Sequence, residues 1–194
     1  MAKYHSHFKT IYGTGIVSAS ELGVTAVELP DISLTDNDSH KEQNAFEPSE
    51  ISTHSALLLQ KYFQGERTDF SDIPVDIRAL SPFRQTVLNM IRKLEFGEIC
   101  SYSQVAELCG SPRSARAVGG ALASNPIPVI IPCHRIVASN GRLTGFSAPG
   151  GVNAKKVLLR LEGIEFNGLL VAANQMVMHR TSADKKILFS LESA

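Results

Sequence analysis

One short segment carries a nucleophile with a base and a cation directly behind it. Cys133-His134-Arg135 closes the apolar, proline-punctuated run Ile130-Ile131-Pro132 and is followed by Ile136. A sulfur nucleophile acts as thiolate, and a neighbouring base or positive charge lowers the thiol pKa. The segment supplies both residue types in adjacent positions, so His134 and Arg135 are the expected activators of Cys133. The competing reading is a buried cysteine acting as a small hydrophobe, which is common in cores. Cys100 and Cys109 fit that second reading, since neither has an adjacent base. A cysteine hydrolase would also need an oxyanion site and a water path to break the covalent intermediate, and no segment indicates either.

The remaining chemistry-bearing residues narrow the class. Three cysteines without a C-x-x-C spacing argue against a disulfide framework and a cysteine-rich zinc site. A reducing, intracellular, cytoplasmic setting is expected. His5, His7 and His40 lack ligand spacing and read as surface residues, and His54 and His179 read as unreactive packing residues, so no metal or cofactor is expected. The N-terminus lacks the apolar core of a secretory signal. No run of about 18 apolar residues occurs, so no membrane contact is expected.

Charge divides the chain. Residues 1–80 hold 6 Lys+Arg against 12 Asp+Glu, while residues 81–160 hold 10 against 3. An acidic half followed by a basic half suggests two domains, the second facing a polyanion.

Several elements must position the cysteine. Residues 4–30 place β-branched side chains between glycines and predict a hairpin or small meander. Residues 31–50 are polar and read as a loop. The apolar spacing predicts a helix over Ser52–Gln64, stopped by Gly65. Residues 66–80 read as a linker that packs. Ser81-Pro82 opens a helix with Phe83, Val87, Met90, Ile91 and Leu94 at helical spacing, stopped by Gly97.

Ser101-Tyr102-Ser103-Gln104 is a capping box. The short helix it starts, a Gly110-Ser111-Pro112 turn and a second helix over Arg113–Ser124 together predict a helix-turn-helix. A plain helical hairpin has the same spacing. The second helix is built of small residues, including Ala115, Gly119 and Gly120. These permit close backbone approach to a partner, with Arg113 and Arg116 available for phosphate. Asn125-Pro126 breaks that helix, and Ile127–Ile131 is expected to run extended into Cys133. A glycine-rich loop spans 144–151. The last helix, Val152–Leu161, is expected to turn Val157, Leu158 and Leu161 inward and Lys155, Lys156 and Arg160 outward. Leu169–Ala173 and Ile187–Phe189 read as short strand-like pieces.

Taken together, Phe96–Tyr102, Arg116-Ala117-Val118-Gly119-Gly120, Asn125-Pro126, Pro132-Cys133-His134-Arg135 and Leu158–Gly163 resemble the O(6)-alkylguanine-DNA alkyltransferases. The likeness covers roughly residues 80–165. It implies a ribonuclease-H-like α/β N-terminal domain over 1–80. A mostly α, winged-helix-like domain with the helix-turn-helix would follow over 81–166, and 167–194 would be an extension. It implies double-stranded DNA carrying O(6)-alkylguanine as partner, with O(4)-alkylthymine a possible second lesion, and a monomeric protein. It also implies base flipping, because a reactive base atom is inaccessible inside the stack, and irreversible alkyl transfer to Cys133, one per molecule.

In that likeness His134 is the general base through a water, Glu162 orients it, and Asn125 holds the turn that shapes the site. Arg116 fills the gap left by the flipped base, and Tyr102 sits at the phosphate and donates to the leaving guanine. The backbone of Cys133, Ile136 and Ser147 reads the base edge. Phe146 walls the pocket where a Tyr is usual, and Lys155 matches a lysine near the site. Two other classes share parts of this pattern: a non-enzymatic alkylated-DNA-binding relative, which lacks the cysteine, and a transcription factor using Cys133 as a sensor.

Overall fold

The structure, a computed structural model, describes residues 3–32 and 47–172. Most of the 31–50 loop, His40, His179 and the Ile187–Phe189 piece lie outside the described residues.

Strands β1 (Tyr4–Thr10), β2 (Gly13–Ser20) and β3 (Gly23–Glu28) form an antiparallel meander in that order. A β-carbon at Gly15 would fall 2.1 Å from the Phe8 ring. Glycine there lets Phe8, fully buried, lie across β2.

Helix α1 (Glu50–Phe63) packs on β1 and β2. It starts two residues before the expected Ser52 because Ser49 is the cap. Ser49 Oγ accepts from the Ser52 N–H, and Ser52 Oγ accepts from the Ser49 N–H. Ala56, Leu59, Tyr62 and Phe63 form its buried stripe, one to two helical turns apart.

The 66–80 segment packs as expected. Phe70, Ile73 and Ile77 are buried. The Val24 N–H donates to Pro74 O at 2.8 Å, and the Asp76 N–H to Val24 O at 2.8 Å. The segment thereby borders β3.

In the second half, helices α2 (Pro82–Ile91), α3 (Tyr102–Leu108) and α4 (Ala115–Ala123) pack on one another. Between α2 and α3, β4 (Cys100–Ser101) runs parallel to β5 (Ile136–Val137). Helix α5 (Gly151–Leu161) and the hairpin β6 (Phe166–Asn167) and β7 (Leu170–Val171) close the described chain.

Three further boundaries differ from expectation. Helix α2 ends at Ile91, short of Leu94, and Arg92 caps it; the Arg92 guanidinium turns to the carbonyls of Ser71 and Ile73. Helix α4 begins at Ala115 because the Ser114 N–H bonds Ser111 O in a turn, which leaves Arg113 outside the helix. Helix α5 begins one residue early, after Gly150 in the left-handed region.

The two halves share one apolar core. Phe8, Val27, Leu59, Tyr62, Val87, Leu122, Ile130 and Leu158 belong to a single buried cluster. The β3 backbone also grips the second half directly, the Val27 N–H donating to Pro126 O at 2.8 Å. Among the described residues no helix is long and apolar enough to cross a membrane.

Candidate active site

The loop between α4 and β5 delivers the cysteine, and Asn125 holds it together. Asn125 Oδ1 accepts from the Ile127 N–H at 3.0 Å. Its Nδ2 donates to Ile131 O at 2.9 Å and to Cys133 Sγ at 3.1 Å. The run to Cys133 is not extended as expected. The Ile131 N–H closes a turn on Ile127 O at 2.9 Å, and Val129 sits at φ 73°. A β-branched residue in the left-handed region is strained by about 1–3 kcal/mol. The buried amide of Asn125 and the surrounding core hold the turn against that strain.

Cys133 heads a single 3-10 turn, Cys133–Arg135, and is 6% exposed. It lies on the wall of a cavity of about 310 Å³. The other walls are Tyr102 at the start of α3, Gly119, Leu122 and Ala123 on α4, and Gly145, Phe146 and Ser147 of the glycine-rich loop. Small residues on α4 leave the space open; a β-carbon at Gly119 would come no nearer than 3.8 Å to the Tyr102 ring. Burial pushes the Cys133 thiol pKa up, and the Asn125 donor, the Lys155 charge and nearby backbone N–H groups offset part of that rise. The resting group is a thiol, so a base must remove its proton.

The candidate base is the next residue in the chain. His134 and Glu162 are buried, and His134 Nε2 lies 2.7 Å from Glu162 Oε1. Burial lowers the His134 pKa, with Arg135 and Lys155 acting in the same direction against the pull of Glu162. The neutral ring therefore donates Nε2–H to the carboxylate. Its Nδ1 is buried with no hydrogen-bond partner among the described residues, and carries the lone pair that can accept a proton. Burial raises the pKa of Glu162, but His134 and Arg135 outweigh it and keep the carboxylate well below its usual range. Glu162 thus stays ionised while the ring gains or loses its proton.

Arg135 corrects one expectation. Its guanidinium does not serve the thiol. It grips Glu162 through Nε at 2.8 Å and a terminal nitrogen at 3.0 Å, and donates to Leu94 O at 2.6 Å. The cation that acts on Cys133 is Lys155. This corrects a second expectation, because Lys155 is buried rather than outward. It shares the inner face of α5 with Leu158 and Leu159, at spacings of three and four. Its Nζ donates to Ile136 O at 2.5 Å and to Thr144 O at 3.2 Å. Burial lowers its pKa to about 8. Thr144 Oγ1 also donates to the Tyr102 hydroxyl at 3.1 Å, which leaves the Tyr102 proton for the cavity.

Cys133, Asn125, His134, Glu162, Lys155 and the Ile136 backbone therefore form one connected set, and Tyr102, Phe146 and Ser147 line the cavity on which it opens. Arg113, Arg116 and Ala115 lie apart, in the exposed turn and first turn of α4. Arg116 falls on the same helical stripe as Gly119 and Ala123, which aligns it with the cavity side of α4.

Sequence reasoning missed Tyr62. Its hydroxyl donates to Glu162 Oε1 at 2.8 Å from the N-terminal half. A polar tip in the otherwise apolar stripe of α1 was the available signal. It also missed Gly97, whose N–H donates to Glu162 Oε2 at 3.0 Å.

Two family descriptions match the chain. Residues 3–77 match the ribonuclease-like domain, and residues 82–164 the DNA-binding domain, of 6-O-methylguanine DNA methyltransferase. The chain is 39% identical over 141 residues to the methylated-DNA–protein-cysteine methyltransferase of Haemophilus influenzae, covering 69% of this chain and 77% of that protein. It is 51% identical over 105 residues to the protein of that name from Metallosphaera sedula, covering 54% of this chain and 64% of the relative. The crystal structure of Mycobacterium tuberculosis OGT in complex with DNA superposes with a TM-score of 0.66 at 31% identity. That superposition covers 82% of this chain and 92% of the other.

Proposed function

The chain belongs to the 6-O-methylguanine DNA methyltransferase family, and from that premise we propose that it repairs DNA by direct reversal. It transfers an alkyl group from O(6) of guanine in duplex DNA to Cys133, once per molecule. The carrying observation is the placement of Cys133 Sγ. It lies on the cavity wall, 3.1 Å from the Asn125 donor, and the next residue, His134, forms a buried pair with Glu162.

Helices α3 and α4 act as a helix-turn-helix in a winged-helix-like domain, and the small residues of α4 let the backbone approach the minor groove. Arg116 replaces the flipped guanine in the stack, and Arg113 contacts phosphate. The damaged base enters the cavity against Phe146, with its edge on the backbone of Cys133, Ile136 and Ser147. His134 Nδ1 takes the thiol proton through a water, and Glu162 stabilises the imidazolium. Sulfur forms a bond to the alkyl carbon as the carbon–O(6) bond breaks. The electron pair moves into the guanine, and the Tyr102 O–H donates to it as it leaves. A thioether to an alkyl carbon is stable, and no group in the site reverses it. O(4)-alkylthymine presents the same alkyl-oxygen bond on a smaller ring. A monomer acting in the cytoplasm, where thiols are kept reduced, fits this reading.

The test is intact-mass spectrometry after incubation with a duplex carrying one O(6)-methylguanine. A gain of one methyl mass at Cys133, saturating at one per chain, is the expected result. Tight binding with no mass change would overturn transfer in favour of a lesion-binding protein.

A further inference from the structure

The N-terminal half places one polar atom inside the reactive set. Tyr62, on α1, is fully buried, and its ring packs against Phe63, Phe70, Phe96 and the His134 imidazole. Its hydroxyl donates to Glu162 Oε1 at 2.8 Å and lies 3.4 Å from His134 Nε2 and 3.4 Å from Leu158 O. The same oxygen of Glu162 accepts from His134 and from Arg135. Three donors from two halves of the chain converge on one carboxylate oxygen.

We propose that Tyr62 is a positioning residue for alkyl transfer: its hydroxyl holds Glu162 Oε1 in place for His134 and sets how strongly that carboxylate pulls on the imidazole. This rests on the alkyl-transfer reading above and deepens it, since it gives the ribonuclease-like domain a part in the chemistry.

A carboxylate that accepts an additional hydrogen bond is less basic. With Tyr62 donating, Glu162 orients the imidazole and keeps Nδ1 free, but stabilises the imidazolium less than an ungripped carboxylate would. His134 then stays neutral as a base further into the acid range. The phenol remains a donor throughout. Burial and the adjacent carboxylate hold its pKa well above the ordinary tyrosine value. Among the described residues, the other charged groups acting on the imidazole are Lys155 from α5, Glu162 at its C-cap, and Arg135 from the imidazole's own turn. None of them changes in the variant that tests the idea.

Tyr62→Phe keeps the ring and removes the hydroxyl. The rate of a single turnover on O(6)-methylguanine duplex is followed against pH, beside an NMR titration of the His134 imidazole in the full chain. The acid midpoint of both curves is expected to rise by roughly one unit, the scale of one hydrogen bond to a charged group. A tyrosine serving only to pack would alter stability and leave both midpoints in place, and unmoved midpoints overturn the proposal. Should Tyr62→Phe fail to fold, 2,3-difluorotyrosine placed at position 62 keeps the ring and strengthens the donor. Both midpoints are then expected to fall, and unmoved midpoints again overturn the proposal. Absence of transfer by the unaltered chain would overturn the functional reading instead, and the imidazole titration would still decide the role of Tyr62.

Discussion

Asn125 Nδ2 donates to Cys133 Sγ at 3.1 Å, and the same nitrogen donates to Ile131 O at 2.9 Å. One amide therefore fastens the strained turn and favours the charged form of the sulfur it faces. Hydrogen bonding to the charged form is one of the ways a pKa is lowered, and here it works against the rise imposed by burial.

Replacing Asn125 with Ala separates these duties from the base. The Ile127 N–H loses its partner, whereas Ile131 O still accepts from the Cys133 N–H at 2.8 Å, and a buried polar group left unpaired costs about 1–3 kcal/mol. Urea unfolding is expected to register a loss on that scale. Alkylation of Cys133 by iodoacetamide is expected to need a higher pH than in the unaltered chain. An unshifted alkylation profile would remove Asn125 from the account of thiol activation.

Glu162 is the more dangerous site to alter. Its carboxylate accepts from His134, Arg135, Tyr62 and the Gly97 backbone. Glu162→Gln keeps the shape and removes the charge, leaving Arg135 buried without its counter-ion. Breaking a buried pair from one side costs about 3–5 kcal/mol. The variant is expected to unfold at markedly lower urea and to lose alkyl transfer. A variant that folds normally yet transfers slowly would assign Glu162 to imidazole orientation alone.

Much of this site was legible because its parts are local in sequence. Cys133 and His134 are neighbours. The Ser101–Gln104 box forms as read, with the Ser101 N–H donating to Gln104 Oε1 at 2.7 Å. What could not be read depends on partners remote in the chain. Tyr62 lies 100 residues from Glu162, and on α1 it reads as one more large packing residue. Lys155 reads as a solvated charge on a helix until the carbonyls of Ile136 and Thr144 are seen waiting for it. The turn at Ile127–Ile131 escaped because Pro128, the flanking Pro126 and Pro132, and a run of β-branched residues argue for extended chain. The Asn125 amide and core burial override that local preference.

Lys155 gives a pH dependence of opposite sense to a surface lysine. Its pKa falls from 10.5 to about 8 on folding. A base with a lowered pKa in the fold binds fewer protons there than in the unfolded chain, so its linkage penalty is present below about 8 and is relieved as pH rises to 10.5. Lys155→Met removes this penalty but strands the carbonyls of Ile136 and Thr144. It also removes the cation that favours the Cys133 thiolate. The iodoacetamide profile of Cys133 is expected to move to higher pH in Lys155→Met. The advantage of the unaltered chain in alkylation rate is expected to shrink above about pH 8, where Lys155 sheds its charge. A constant advantage across that range would mean that Lys155 acts by shape alone.

The two arginines at the start of α4 should separate by salt and by chemistry. Arg113 sits in the exposed turn before the helix, and Arg116 on the stripe that leads to Gly119 and the cavity. A phosphate contact releases counterions, so its loss lowers the salt slope of binding by about one. Arg113→Ala is expected to do this on undamaged and damaged duplex alike, leaving the transfer rate at saturating DNA unchanged. Arg116→Ala is expected to slow transfer at saturating DNA, because an unfilled stack draws the flipped base back. That deficit should shrink when the lesion is placed opposite a mismatch, where less pairing has to be broken. Fluorescence anisotropy across a salt series, beside rapid-quench transfer rates, reads both. If Arg116→Ala changes only the salt slope, Arg116 is a phosphate contact and the gap in the stack is filled by something else.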